Sequence, residues 1–141
     1  MSVSGAIAYR WDGRSARLYF QTKTDNFDIE SLKEFLIGLK RHLRGDKAIL
    51  IWDGLPAHKS TNMKDWIATQ RAWLEVVFLP GYAPDLNPVE SLWGNLKGQE
   101  LANRCFNDLG EIFGAVDTGL TRARNSRDLL FGFLHHAGLS I

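Results

Sequence analysis

The sequence has a single cysteine, no long apolar run and almost no net charge. Cys105 cannot form an internal disulfide, and the chain opens without a basic stretch followed by an apolar block, so a cytoplasmic protein is expected. No apolar run approaches the roughly 20 residues of a membrane helix, which excludes a membrane span. A formal net charge of +1 means that any grip on a phosphate backbone must come from local clusters. Cys105 itself, next to Phe106, is expected to be a small buried hydrophobe.

The composition otherwise suits one globular domain. The chain has 141 residues and is 45% apolar, with five Trp and eight Phe for a core. That is enough for one real core and too little for two comfortable ones. A single domain over residues 1–141 is therefore expected.

Hydrophobic spacing predicts alternating strands and helices. Asp12 and Gly13 separate two strand-like runs, which indicates a hairpin over residues 3–21. Apolar residues at three- and four-residue spacing indicate helices, and short unbroken apolar runs indicate strands buried on both faces. The other predicted elements are helix 28–43, strand 47–52, helix 62–74, strand 76–79, helix 88–100 and a C-terminal helix 109–124, with an apolar tail at 129–134 that is either a further helix or a turn. This order predicts an α/β fold.

Asp53 directly follows the predicted strand 47–52. Ligands in open α/β sheets gather at the carboxyl ends of strands, so this position suits a metal-binding carboxylate. The alternative is a turn aspartate before Gly54. Five residues on, His58 is either a group that touches substrate phosphate or orients the site, or an ordinary surface histidine.

Glu90 lies at the start of another predicted element. Asn87 is a good N-cap, Pro88 suits the first helical position, and Glu90 follows the cap by three residues. This spacing is also that of a capping box, in which the glutamate would accept from the backbone N–H of Asn87. Gly94 and Lys97 share a stripe of the helix with Glu90, and Gly94 is expected to permit close approach of another backbone.

Asp53 and Glu90 belong to sequence motifs that resemble those of a known protein family. The run from Pro84 to Trp93, reading Pro-Asp-Leu-Asn-Pro-Val-Glu-Ser-Leu-Trp, together with Asp53, Pro56 and His58, resembles the catalytic domain of DDE transposases of the mariner-like superfamily, in its bacterial insertion-sequence branch. The resemblance implies an RNase H-like mixed sheet flanked by helices. It also implies metal-dependent DNA strand cleavage and transfer, with Asp53 and Glu90 as ligands of Mg²⁺, or of Mn²⁺ as a substitute. His58, Asn87 and Lys97 are candidate orienting or substrate-contacting residues.

The resemblance also sets expectations about what lies upstream. In the family the first catalytic aspartate stands on an earlier central strand, so a catalytic domain truncated at its N-terminus is expected, incomplete without an upstream chain. Candidate replacements for that aspartate are unconvincing, since they lie in a hairpin turn, at a helix start or at the wrong end of a strand; they are Asp12, Asp25, Asp28 and Asp46.

The implied partners are DNA at transposon ends and targets, an upstream or full-length transposase chain, and further copies of this chain. Arg122, Arg124 and Arg127 are candidate phosphate contacts, ahead of a second cluster at Lys40, Arg41 and Arg44, although basic residues in a last helical turn also suit the helix dipole. Two other functions stay open. One is a non-catalytic transposase remnant acting as an interaction module, and the other is an RNase H-like nuclease.

Overall fold

The structure, a computed structural model, describes residues 1–53, 56–80 and 83–141. The chain divides into two compact units, where the composition predicts one domain. The first unit contains residues 1–25 and 85–141, and the second contains residues 26–84.

The first unit begins with the predicted hairpin. Strand β1 (Ser2–Tyr9) pairs antiparallel with β2 (Ala16–Lys23), in a register that places Ser2 opposite Lys23 and Tyr9 opposite Ala16. The connection turns at Gly13, whose φ of +73° falls in the left-handed region that glycine adopts without strain. Asp12 stabilises the turn because its carboxylate accepts from the Arg14 backbone N–H at 3.1 Å.

Three longer helices complete the first unit. They are α4 (Pro88–Leu96), α5 (Leu109–Arg124) and α6 (Arg127–His136), so the apolar tail at 129–134 is helical. The bounds of α5 coincide with the predicted helix 109–124, and its start is fixed by Asp108, which accepts from the Glu111 N–H at 2.8 Å. The helix predicted at 88–100 instead ends at Leu96 and continues as a π-helical turn over Lys97–Leu101.

The core of the first unit lies between the hairpin and these helices. Its buried members come from β2, α4, α5 and α6 and are Leu18, Leu92, Leu96, Val116, Leu120, Ala123, Leu130 and Phe133. Burying a large aliphatic side chain contributes about 1.5–3 kcal/mol relative to leaving it exposed. Trp93 is partly buried against the same core.

The second unit contains α1 (Ile29–His42), β3 (Ala48–Trp52), the short α2 (Pro56–Lys59), α3 (Thr61–Thr69) and β4 (Leu74–Phe78). Asp28 caps α1, accepting from the Ser31 N–H at 2.7 Å. Strands β3 and β4 pair in parallel from Ala48 opposite Leu74 to Trp52 opposite Phe78. Over the described residues, the strands form two separate two-stranded sheets, one antiparallel (β1 and β2) and one parallel (β3 and β4). These are the two kinds of pairing that a mixed sheet contains.

Two expectations about the second unit need correction. Helix α3 ends at Thr69, because a turn follows in which the Gln70 carbonyl accepts from both Trp73 and Leu74 N–H groups; strand β4 therefore begins at Leu74 rather than 76. Strand β3 is not covered on both faces, since its side chains alternate between partly buried and exposed. Ile49 is 68% exposed and Ile51 is 53% exposed.

Cys105 is exposed, so its expected burial was wrong; it lies between α5 and the π-helical turn, outside the packed elements.

Among the described residues, no helix combines the length and the apolar character that crossing a bilayer requires.

Candidate functional site

Asp53 lies at the carboxyl end of β3, as the sequence predicts. The Trp52 carbonyl just before it accepts from the Leu79 N–H at 2.7 Å, which extends the pairing of β3 and β4 up to this position. The Asp53 side chain is 40% exposed and so reaches solvent. Gly54, on which the turn-aspartate alternative depends, lies outside the described residues.

His58 is paired with Asp53 and is not a surface histidine. Its Nδ1 lies 2.7 Å from Asp53 Oδ1 and 3.1 Å from the Asp53 carbonyl oxygen. The ring stacks on Trp52 with 4.0 Å between ring centroids, and only 8% of His58 is exposed. Because the atoms facing Nδ1 are acceptor oxygens, Nδ1 is assigned as N–H and donates a hydrogen bond to Asp53. The short helix α2 thus places His58 beside the carboxylate of Asp53, five residues earlier in the chain.

Glu90 lies in the first turn of α4, where Asn87 serves as the N-cap. The Asn87 side-chain oxygen accepts from the Val89 N–H at 3.1 Å, and the Glu90 N–H donates to the Asn87 carbonyl at 3.0 Å. The Glu90 side chain is exposed, and within the described ranges it makes no hydrogen bond or ion pair. The capping-box alternative is therefore not realised there, and the carboxylate points to solvent at the positive end of a helix dipole.

Gly94, which shares a stripe with Glu90 and Lys97, does not show the close backbone approach that the sequence predicts. A Cβ built on Gly94 would meet nothing within 4 Å, so this glycine does not serve close packing. The close approach is instead at Gly119 of α5, where a Cβ would overlap Leu96 and come within 2.7 Å of Glu100. Lys97 is exposed, and its ammonium has no ion-pair partner in the described part of the chain.

The three C-terminal arginines are each engaged within the first unit. Arg122 donates to Glu100 Oε1 at 2.6 Å and Oε2 at 3.0 Å and also to Asn95 Oδ1 at 2.6 Å. The hydrogen bonds to Glu100 and its negative charge raise the Arg122 pKa, while burial opposes this.

Arg124 and Arg127 each bind backbone carbonyls and lie over an aromatic ring. Arg124 lies 4.4 Å from the Phe20 ring centroid and donates to the Leu18 carbonyl at 3.4 Å. Arg127 donates to the carbonyls of Arg14 and Gly13 at 3.2 and 3.1 Å and lies 4.6 Å from the Phe131 ring centroid. These arginines fasten α5 and α6 to the hairpin, and a phosphate contact by any of them stays a prediction.

The candidate residues are thus distributed over the two units. Asp53 and His58 are joined in the second unit, whereas Glu90, Asn87 and Lys97 belong to the first. Over residues 1–53, 56–80 and 83–141, no group of three or more His, Cys, Asp or Glu side chains is arranged to hold a metal ion. Two features of these regions are not predictable from sequence spacing. One is the stacking of Trp52 on His58, and the other is the Glu100–Arg122–Asn95 cluster, whose members are up to 27 residues apart and give no local signal.

Comparison with known proteins gives the family. A family model described as DDE superfamily endonuclease matches residues 6–112, well over half of the chain. The chain belongs to the DDE superfamily endonuclease family. This confirms the resemblance read from the Pro84–Trp93 phrase.

Relatives of this DDE endonuclease chain come from a bacterium and a nematode. It is 34% identical over 88 residues to the uncharacterized protein y4pE/y4sA of Sinorhizobium fredii, an alignment that covers 60% of each chain. It is 30% identical over 70 residues to the transposase of the transposable element Tcb2 of Caenorhabditis briggsae, covering 45% of this chain and 25% of that protein. The chain therefore spans 60% or less of the length of these relatives.

Solved structures give the fold of the DDE endonuclease chain. The catalytic domain of Mos1 transposase with raltegravir and Mn matches with a TM-score of 0.67 at 18% identity, covering 96% of this chain and 76% of that one. The Mos1 catalytic domain with raltegravir and Mg matches with a TM-score of 0.63 at 16% identity, covering 96% and 75%. The fold is thus the α/β, RNase H-like fold of the Mos1 catalytic domain, as the sequence predicts.

Proposed function

We propose that this chain is the catalytic portion of a DDE transposase, which cleaves DNA at the ends of a mobile element and joins the exposed 3′-hydroxyl to target DNA. The observation that carries the proposal is the Asp53–His58 pair at the carboxyl end of β3, in a chain that belongs to the DDE endonuclease family. The similarity to the Tcb2 transposase and the fold shared with the Mos1 catalytic domain support it.

Asp53 and Glu90 are the proposed ligands of a divalent cation, Mg²⁺ or Mn²⁺. The donor chemistry fits, because carboxylate oxygens are the ligands that hard cations prefer. Both side chains reach solvent, and no group within the described residues uses the Glu90 carboxylate. When bound, such a cation lowers the pKa of an attacking water or hydroxyl and stabilises the leaving oxygen. The Mos1 structures with Mn and with Mg support this type of cation.

His58 is proposed to orient Asp53. Its Nδ1–H holds one carboxylate oxygen at 2.7 Å, and the stacking on Trp52 fixes the plane of the ring. A hydrogen bond to a charged group contributes about 1.5–3 kcal/mol, enough to favour one rotamer of the carboxylate strongly. Partners of this kind preorganise a metal ligand before the cation arrives.

The roles proposed for Asn87 and Lys97, which lie near Glu90 in the sequence, depend on which side chains already make hydrogen bonds or ion pairs within the chain. Asn87 uses its side-chain oxygen to cap α4, so its role is to fix where the helix begins and hence where Glu90 stands. Lys97 is exposed and unpaired within the described residues, whereas Arg122 is held by Glu100 and Asn95. Lys97 is therefore the favoured contact for a DNA phosphate.

The third carboxylate of the site is proposed to come from outside these 141 residues, on an upstream transposase segment or chain. Within the chain, Asp12 is occupied by ion pairs to Arg10 at 3.0 Å and Arg14 at 3.6 Å, and Asp28 caps α1. The working assembly is proposed to contain more than one copy of the chain on paired DNA ends.

Mn²⁺-dependent cleavage of a DNA fragment carrying an element end tests the proposal. The chain is assayed alone and with the upstream transposase polypeptide, alongside Asp53→Asn and Glu90→Gln. Glu75→Gln and Asp117→Asn serve as matched controls, since both remove an exposed carboxylate, one in each unit. Activity in the mixture that disappears in the two site variants and survives in the two controls is the expected result.

Cleavage that survives Asp53→Asn would refute the assignment of this residue. Robust cleavage by the chain alone would refute the need for an outside carboxylate. An absence of cleavage by folded protein in every mixture would favour the non-catalytic interaction module.

A further inference from the structure

Five exposed basic side chains lie at the end of the β3–β4 sheet where both strands begin. They come from the last turn of α1, the turn that follows it, the residue before β3 and the turn before β4. We call Lys40, Arg41, Arg44, Lys47 and Arg71 the basic patch.

Backbone hydrogen bonds bring these segments to one end of the sheet. The chain reverses after α1 through Arg44 and Gly45, whose φ values are +56° and +78°, and the Gly45 N–H donates back to the Lys40 carbonyl at 3.0 Å. The Ala48 N–H donates to the Trp73 carbonyl at 2.7 Å, which places the turn that carries Arg71 beside the start of β3. Residues distant in sequence therefore share one surface.

The charge of this surface differs from that of the rest of its unit. Residues 40–47 and 71 contain five Lys or Arg and one acid, Asp46, for a formal charge of +4. The rest of residues 26–84 contains three Lys or Arg and six acids, for a formal charge of −3. Within the described ranges, no side chain of the basic patch makes an ion pair.

The dipole of α1 accounts for only part of the basic patch. Basic residues in a last helical turn are stabilised by the helix C-terminus, which explains Lys40 and Arg41. Arg44 and Lys47 follow the helix, and Arg71 belongs to another part of the chain. Repulsion among like charges disfavours such a cluster unless an anion neutralises it.

We propose that the basic patch binds the phosphate backbone of duplex DNA without reading its sequence. This inference rests on the proposed function for the choice of DNA among polyanions. Lys47 and Asp53 stand at opposite ends of β3, roughly 20 Å apart at about 3.3 Å per residue. At 3.4 Å per nucleotide along a strand, this distance corresponds to about six base pairs. A duplex that runs along β3 would meet the patch several base pairs away from the cleavage site proposed at Asp53.

Fluorescence anisotropy with a labelled 20-base-pair duplex of arbitrary sequence tests the proposal. Binding is measured in EDTA, so that it does not depend on catalysis or on a cation at Asp53. The variant Lys47→Gln/Arg71→Gln removes two patch charges from two segments. Lys33→Gln/Lys64→Gln removes two charges elsewhere in the same unit and is the charge-matched control; unlike the patch residues, Lys33 is paired with Glu30 at 3.2 Å. Circular dichroism verifies that each variant is folded.

The expected result is about tenfold or more weaker binding by the patch variant at 0.1 M salt. The slope of log K against log salt is negative, and each lost phosphate contact reduces its magnitude by about 0.9, so the patch variant should have a slope shallower by about 1.8. The control retains the affinity and slope of the unchanged protein. Equal losses in the two variants, no loss in the patch variant, or tighter binding of duplex RNA than of DNA would overturn the proposal. Normal DNA binding by a chain that fails to cleave DNA in any mixture would count against the proposed function alone.

Discussion

Replacing Gly119 by alanine is expected to destabilise the first unit. An added Cβ would overlap Leu96 and lie 2.7 Å from Glu100 Oε2, closer than real Cβ contacts. Neither neighbour yields easily, because Leu96 is only 5% exposed in the core and Glu100 is held by Arg122 at 2.6 Å. Overpacking of this kind costs about 1–3 kcal/mol, whereas alanine gains about 1 kcal/mol over glycine in a helix interior. The free energy of unfolding should therefore fall, by up to roughly 2 kcal/mol.

The matched control for Gly119→Ala lies in the same helix. Gly114→Ala places a Cβ where nothing lies within 4 Å, so it should stabilise the protein by up to about 1 kcal/mol. Urea denaturation of both variants, with the m-value checked for two-state behaviour, measures the difference. Leu96→Ala alone should cost about 2–5 kcal/mol, and the double variant should lose less than the sum of the two single losses, because the smaller side chain makes room for the new methyl group. If Gly119→Ala proves as stable as Gly114→Ala, the packing of α5 against α4 described above is wrong.

Three further predictions concern the second unit, the hairpin and the arginine cluster. His58→Ala should lower the free energy of unfolding by about 1–3 kcal/mol in urea, since a buried hydrogen bond to Asp53 is lost, while His136→Ala, at an exposed position, should change it little. Burial raises the pKa of the Tyr9 phenol above its ordinary value, so the stability contributed by the neutral phenol is fully present below about pH 10 and is lost as the pH rises further. Tyr9→Phe should flatten the fall in stability above that pH, and an unchanged pH profile would contradict this reasoning. Arg122→Ala should cost at most about 1 kcal/mol because its ion pair is partly exposed, and a much larger loss in urea would show that the cluster with Glu100 matters more than an exposed pair.

The sequence was most informative where local signals agree. Helix α5 begins and ends where predicted, because Asp108 caps it and its apolar residues keep one helical spacing. The end of α3 was misplaced because Trp73 and Leu74 also fit that spacing. Their backbone instead belongs to a turn and to β4, whose pairing with β3 is a non-local interaction that propensity does not report.

The positions of the candidate residues could be predicted in part. Asp53 follows a strand and Glu90 lies in the first turn of a helix, as expected, and their shared role as cation ligands stays a prediction. The burial of His58 depends on how α2 turns its ring onto Trp52, which spacing alone does not determine. The engagement of Arg122 depends on Glu100, 22 residues away, across the contact between α5 and the π-helical turn.

The most direct test of the central claim is whether Asp53 and Glu90 hold the same cation. Electron paramagnetic resonance of free Mn²⁺ measures the Mn²⁺ affinity of the chain mixed with the upstream transposase polypeptide. The unchanged chain is compared with Asp53→Asn, Glu90→Gln, the double variant and the Asp117→Asn control. The account predicts at least about a tenfold loss in each single site variant, no clear further loss in the double variant, and an unchanged control. Unchanged Mn²⁺ affinity in Glu90→Gln, or independent losses that add in the double variant, would contradict it.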